Sequence, residues 1–262
     1  MPIFTDQLNR KIFLPALPKR IISIVPSQTE LLFDLGLSDE IAGVTKFCIH
    51  PSDKVKSVAK IGGTKQLDIA KIKNLHPDLI IANKEENERA QVEELMTICP
   101  VWISDIGNLD EALEMIERVG ALTGKIEEAA TLIDLISKHF QALVIKTVHL
   151  RTAYFIWRQP YMVAGKGTFI DDMLQRCGLI NAFDQQRYPE VDRDTIIALK
   201  PEVVLLSSEP YPFRQKHIDE IKTLLPDATI KLVDGEMFSW YGSRLLQAPA
   251  YFETVVKGLQ ND

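Results

Sequence analysis

One segment of this chain is written twice, and that repetition limits the possible folds more than any other feature. Residues 72–82 read IKNLHPDLIIA, and residues 196–206 read IIALKPEVVLL, with Pro77 and Pro201 offset by 124 positions. Each copy reads as a helix end, a proline break, an acidic residue and an unbroken aliphatic run. A continuous apolar run of that length suits a strand buried on both faces of a parallel sheet. A second echo runs alongside: Ser27 and Thr168, then Gly36 and Gly178, hold corresponding places at offsets of 141 and 142. Two similar α/β lobes with a crevice between them are the expected result, because doubly wound sheets meet ligands beyond the carboxyl ends of their strands.

Local signals fill in the plan. Residues 20–25 form a first strand, stopped by Pro26. Ser27-Gln28-Thr29-Glu30 reads as a capping box, with Ser27 as cap and Glu30 reaching back, and the helix stops at Gly36. A strand over 41–45, a tight turn at Gly62-Gly63-Thr64, a helix over 88–96 and a strand over 101–103 complete the first lobe. In the second, a strand over 152–157 leads to a helix capped by Thr168 and ended at Gly178. Between them, apolar residues at three- and four-residue spacings predict one helix over residues 125–146 that touches both lobes. At 1.5 Å per residue it would span roughly 33 Å, a stiff spacer that predicts limited lobe movement. The expected division is 1–118, an N-terminal α/β lobe; 119–147, a connecting helical backbone; and 148–262, a C-terminal α/β lobe.

Bulk properties narrow the function. The formal net charge of −6 disfavours a general nucleic-acid binder. No run approaches the length of a membrane span. Asp6 and Arg10 interrupt any apolar N-terminal region, so no signal peptide is expected; the reading is cytoplasmic as written, and periplasmic or membrane-tethered if a targeting segment has been removed. Cys48, Cys99 and Cys177 are odd in number and widely spaced, which argues against a disulfide framework. No His–carboxylate pair, nucleophile motif or metal quartet appears, and Cys48 with His50 falls short of a metal site. Gly165-Lys166-Gly167 precedes a helix as phosphate loops do, without the full Walker spacing, although Lys166 there could still meet an anion.

The order of strand, PSQTELLFDLG, GVT, GGT, LHPDLIIA, long helix, AGKGTFIDDML, YPEVDRDTI and LKPEVVLL resembles the helical-backbone (class III) substrate-binding proteins of ABC importers. The likeness runs from about Arg20 to Arg244 and is nearest to the cobalamin-binding branch. It implies two Rossmann-like lobes joined by a long rigid helix, with a cleft for cobalamin, a ferric siderophore or haem. The protein would be a non-enzymatic, monomeric receptor without an intrinsic cofactor, whose ligand brings its own cobalt or iron. The alternative is a cytoplasmic chelatase-like or chelate-modifying enzyme on a related scaffold.

Candidate ligand contacts follow from the carboxyl-end rule: Ser27, Phe47, His50, Asn83, Lys84, Trp157, Lys166, Tyr211, Phe213 and Arg214. The resemblance adds Tyr188, Trp240, Tyr241 and Arg244. Aromatic walls suit a macrocycle or catecholate, and Arg244, Arg214 and Lys166 suit its anionic groups. Glu85 and Glu86 read as a solvated helix entry rather than as contacts. The resemblance also implies one acidic permease-docking residue per lobe. Asp194, seven residues before Pro201, fits; the same count from Pro77 falls on Ala70, leaving Asp68, two residues away and a natural N-cap.

Overall fold

The computed structural model describes residues 2–145 and 149–260. The chain divides into two compact units. Unit 1 comprises Met1–Ile106, Asp110–Ser137 and Tyr241–Arg244, and unit 2 comprises Gly107–Leu109, Lys138–Trp240 and Leu245–Asp262.

In unit 1 a hairpin of β1 (Ile3–Thr5) and β2 (Lys11–Phe13) is followed by β3 (Ile21–Ser23), α1 (Pro26–Asp34), β4 (Ile41–Val44) and β5 (Ala59–Lys60). Next come α2 (Ile69–Asn74), β6 (Leu79–Asn83), α3 (Arg89–Leu95), β7 (Val101–Ser104), α4 (Leu109–Thr123) and α5 (Ile126–Gln141). The main sheet has the order β5-β4-β3-β6-β7, with every pair parallel. Strand β6, held between β3 and β7, is buried along its whole length, as its unbroken apolar run requires.

Unit 2 carries β8 (Arg151–Trp157), β9 (Tyr161–Val163), α6 (Phe169–Arg176), β10 (Ile180–Asn181), β11 (Glu190–Val191), α7 (Arg193–Leu199), β12 (Val203–Ser207), α8 (Gln215–Leu224), β13 (Thr229–Val233), α9 (Gly235–Ser239) and α10 (Ala248–Gln260). Its sheet runs β11-β9-β8-β12-β13, with β10 added beside β8. The pairs β8–β12, β12–β13 and β8–β10 are parallel, whereas β9 is antiparallel to both β8 and β11. The α/β class with parallel strands expected from the sequence is therefore present, and unit 2 extends it with an antiparallel hairpin. Phe155, Val204, Leu206, Ile196 and Ile221 meet in its core.

The repeat is physical. β6 and β12 start and end 124 residues apart, and so do the starts of α2 and α7. His76 and Lys200, each preceding the repeated proline, both adopt left-handed φ angles, 47° and 46°. The repeated acid also has a job. The Asp78 carboxylate accepts the backbone N–H groups of Lys19 and Arg20 at 2.7 and 2.9 Å, and the Glu202 carboxylate accepts that of Arg151 at 2.8 Å. Each acid thus satisfies the entrance of the neighbouring strand, where backbone donors would otherwise go unpaired. The left-handed stops at Gly36 and Gly178 are present, with φ of 79° and 69°.

Two sequence expectations fail. The helix expected over 125–146 is α5, sixteen residues ending at Gln141, or roughly 24 Å; Lys146 lies outside the described residues. Apolar spacing continues to Val144, but Val144-Ile145 begins a β-branched stretch that resists helix, and the Leu143 N–H already turns back to Phe140 O. The capping box at Ser27 is also absent. Pro26, pre-set for a first helical turn, starts α1 two residues earlier than a Ser27 cap would, so Val25 is the N-cap and no side chain caps it. The capping assignments at Asp68 and Thr168 hold, their side chains accepting the N–H groups of Lys71 and Asp171, and Asp192 caps α7 in the same way by accepting that of Thr195.

Candidate functional site

In unit 1 the carboxyl ends of β3, β4 and β6 present the first turn of α1, the loop over residues 45–50 and the turn over residues 83–88. Three buried polar atoms gather in α1 and the segment packed on it. Ser27 Oγ, Gln28 Oε1 and Ser243 Oγ have no hydrogen-bond partner among the described residues. A Cβ on Gly242 would lie 3.1 Å from Ser27 O, which sets the 241–244 segment against this turn. Buried groups of this kind cost about 1–3 kcal/mol each until a partner arrives. Beside them Arg244 grips Glu30 with a two-pronged pair, Nε at 3.0 Å and Nη2 at 2.7 Å. Burial pushes the Glu30 carboxyl above its ordinary value, while Arg244 and, more weakly, His50 pull it down. Glu30, read from the sequence as part of a cap, is thus the partner of a residue 214 positions away.

The turn after β6 is built by Asn83. Its Oδ1 accepts the N–H groups of Glu85 and Glu86, at 2.8 and 3.1 Å, and its Nδ2 donates to Ser104 Oγ at 3.0 Å. Asn83 is buried and holds the loop in shape. Lys84 is paired with Asp105 at 2.6 Å. Glu86, expected to face solvent, accepts the Tyr241 hydroxyl at 2.6 Å. Phe47 stands apart: its ring is 51% exposed, and Lys46 Nζ lies 5.0 Å from the ring centroid. His50 is half-buried in the same loop.

In unit 2 the corresponding end of the sheet gathers aromatic rings. Trp157 meets Tyr211 at 5.6 Å between centroids, and Tyr211 meets Phe213 at 4.8 Å. Both Tyr211 and Phe213 also touch His217 edge-on at 5.4 Å. His217 fixes the start of α8 by accepting the Arg214 N–H at Nδ1; burial and neighbouring cations hold its pKa down. Trp157 is 39% exposed and presents the cluster's open face. Arg214 is exposed, and Tyr188 is half-buried two residues before β11.

Three further residues expected to contact ligand are, like Asn83, Lys84 and Arg244, engaged within the protein. Trp240 and Tyr241 are only 5% and 7% exposed, and the Trp240 indole N–H donates to Glu209 Oε1 at 2.8 Å. Lys166 Nζ lies 3.4 Å from Asp171, and its backbone is bound to Gln185. The glycine before it serves that packing, since a Cβ on Gly165 would fall 2.1 Å from Gln185 O. Sequence reasoning missed Glu209. Its carboxylate also accepts from Ser239 Oγ at 2.7 Å, and burial, with Glu236 and Asp234 nearby, raises its pKa. Only its place two residues after a repeated strand, matching Glu85 in the other copy, could have pointed to it.

Of the two docking candidates, Asp194 is exposed in the first turn of α7. The Asp68 carboxylate accepts the Lys71 N–H at 2.9 Å as the cap of α2.

Comparison with known proteins places these features in context. The periplasmic binding protein profile matches residues 21–224. A vitamin B12-binding protein of Yersinia pestis is 24% identical over 239 residues, covering 88% of this chain and 83% of that one. Among solved structures, the haem-binding protein RhuT of Roseiflexus superposes with a TM-score of 0.80 at 20% identity, covering 93% of this chain and 98% of that one. The vitamin B12-binding protein BtuF of Vibrio cholerae superposes with a TM-score of 0.75 at 21% identity, covering 94% and 99%.

Proposed function

We propose that this chain, which belongs to the periplasmic binding protein family, is the receptor for a metal-chelate ligand, a corrinoid before a ferric siderophore or haem, and acts by binding alone. The carrying observation is that each unit offers an open aromatic at the carboxyl ends of its sheet, Phe47 in unit 1 and Trp157 in unit 2. Exposed rings cost hydration until an apolar surface covers them, and a flat macrocycle is such a surface. The orphaned Ser27 Oγ, Gln28 Oε1 and Ser243 Oγ atoms would meet the polar groups that ring a corrinoid. Vitamin B12-binding relatives covering most of the chain support putting the corrinoid first. The cobalt or iron would arrive inside the ligand. Import through an ABC permease is the natural use of such a receptor, with Asp194 as its docking carboxylate.

A thermal-shift panel of hydroxocobalamin, haem, ferric siderophores and free metal ions tests this reading. At a hundred times its dissociation constant the right ligand adds about 2.7 kcal/mol, a shift of roughly 5–10 °C. A response to hydroxocobalamin supports the reading. A flat panel with folded protein sinks it, and a response to haem alone moves haem to first place.

A further inference from the structure

Beyond ligand binding, unit 1 carries a charge anomaly. In a chain of net charge −6, residues 46–73 hold seven lysines and two aspartates, with no glutamate and no arginine. Lys60 lies on β5 and turns inward, donating to Cys48 O and Val55 O. The other six, Lys46, Lys54, Lys56, Lys65, Lys71 and Lys73, are exposed. Lys54 is the N-cap of the 3-10 turn Val55–Ser57 that leads into β5, Lys56 lies within that turn, and Lys71 and Lys73 lie on α2. Of the two acids, Asp68 is taken up as the cap of α2.

Protection of a sheet edge needs a lysine on the edge strand itself, and these six lie off it. Their chemistry selects the partner. Protein interfaces favour arginine, whose fork matches carboxylates, and are depleted in lysine. A surface whose cations are all lysines suits a diffuse layer of anionic headgroups, where each cation contributes independently of geometry. Ile49, exposed in the same stretch, is the kind of apolar side chain that enters a headgroup layer.

We infer that the lysine face around β5 and α2 is a peripheral docking surface for an anionic lipid bilayer. It holds unit 1 to the membrane by charge. The test is co-sedimentation of the full chain with vesicles of phosphatidylcholine alone, or with one third phosphatidylglycerol, at low and high salt. A second arm offers immobilised poly-glutamate. The quadruple variant Lys54→Ala/Lys56→Ala/Lys71→Ala/Lys73→Ala is compared with Lys11→Ala/Arg89→Ala/Lys216→Ala/Lys257→Ala, which removes equal charge elsewhere, with both checked for folding by circular dichroism. The expected result is partition onto anionic vesicles only, weakened by salt. It should fall on the order of a thousandfold in the first variant and much less in the second. Failure to bind anionic vesicles at low salt, or equal loss in both variants, overturns the inference. Capture by poly-glutamate without vesicle binding overturns it in favour of an acidic protein partner.

Discussion

Replacing Arg244 by alanine removes one half of an ion pair whose side chains are only 13% (Glu30) and 10% (Arg244) exposed. The cost comes less from the lost attraction than from the carboxylate left behind in a poorly hydrated site. Breaking a buried pair at one end costs about 3–5 kcal/mol, enough to lower melting by roughly 10 °C or more. Replacing both ends by apolar groups of similar volume, as in Glu30→Leu/Arg244→Met, should recover most of that loss, because no stranded charge remains. The pH dependence has a definite sign. Burial raises Glu30 above its ordinary value of 4.5, so the folded protein holds this proton more tightly than the unfolded chain. Stability from this group is therefore full in acid and lost as pH rises through the folded value. Without Arg244 the carboxyl rises further, so the variant's deficit should be small near pH 4 and widen towards pH 7. Urea denaturation across that range, followed by circular dichroism, reads the effect. A deficit independent of pH, or a double variant as unstable as Arg244→Ala, would refute the stranded-charge account.

Further perturbations test other parts of the structure. Glu209→Ala strands the Trp240 indole N–H and should cost about 1–3 kcal/mol with a change in tryptophan emission. Glu209→Gln keeps an acceptor and removes a disfavoured charge, so urea midpoints at pH 8 should match or exceed wild type. Burial raises the Cys48 and Cys177 thiols and pushes Cys99 up to about 12. Ellman's reagent at pH 8 should accordingly find no fast thiol until denaturant is added; rapid native reaction would contradict this. Asp192→Ala and Asp68→Ala each remove a helix cap and should cost about 1 kcal/mol, which two urea curves can check.

Much of the fold was legible because the repeat carries its own physics. Pro77 and Pro201 end helices by sterics, and the aliphatic runs after them can only be buried strands, so β6 and β12 fall where the pattern puts them. The caps at Asp68 and Thr168 were readable because a cap is decided within three residues. Ser27 misled because Pro26, one residue earlier, set the helix start instead. Side chains whose roles depend on distant partners were hidden: nothing near Arg244 announces Glu30, and nothing near Trp240 announces Glu209. Phe47, Trp157, Tyr211 and Phe213 do lie at or after strand ends, but sequence could not separate the open Phe47 and Trp157 from the buried Trp240 and Tyr241, which follow α9. That difference arises from packing.

The most direct measurement is a calorimetric titration of hydroxocobalamin into the folded protein, repeated with Phe47→Ala and Trp157→Ala. The account expects saturable one-to-one binding with a negative heat-capacity change from buried apolar surface, weakened by either substitution while the fold survives. Absence of saturable heat with hydroxocobalamin, haem and ferric siderophores alike, from protein that melts cooperatively, would contradict it.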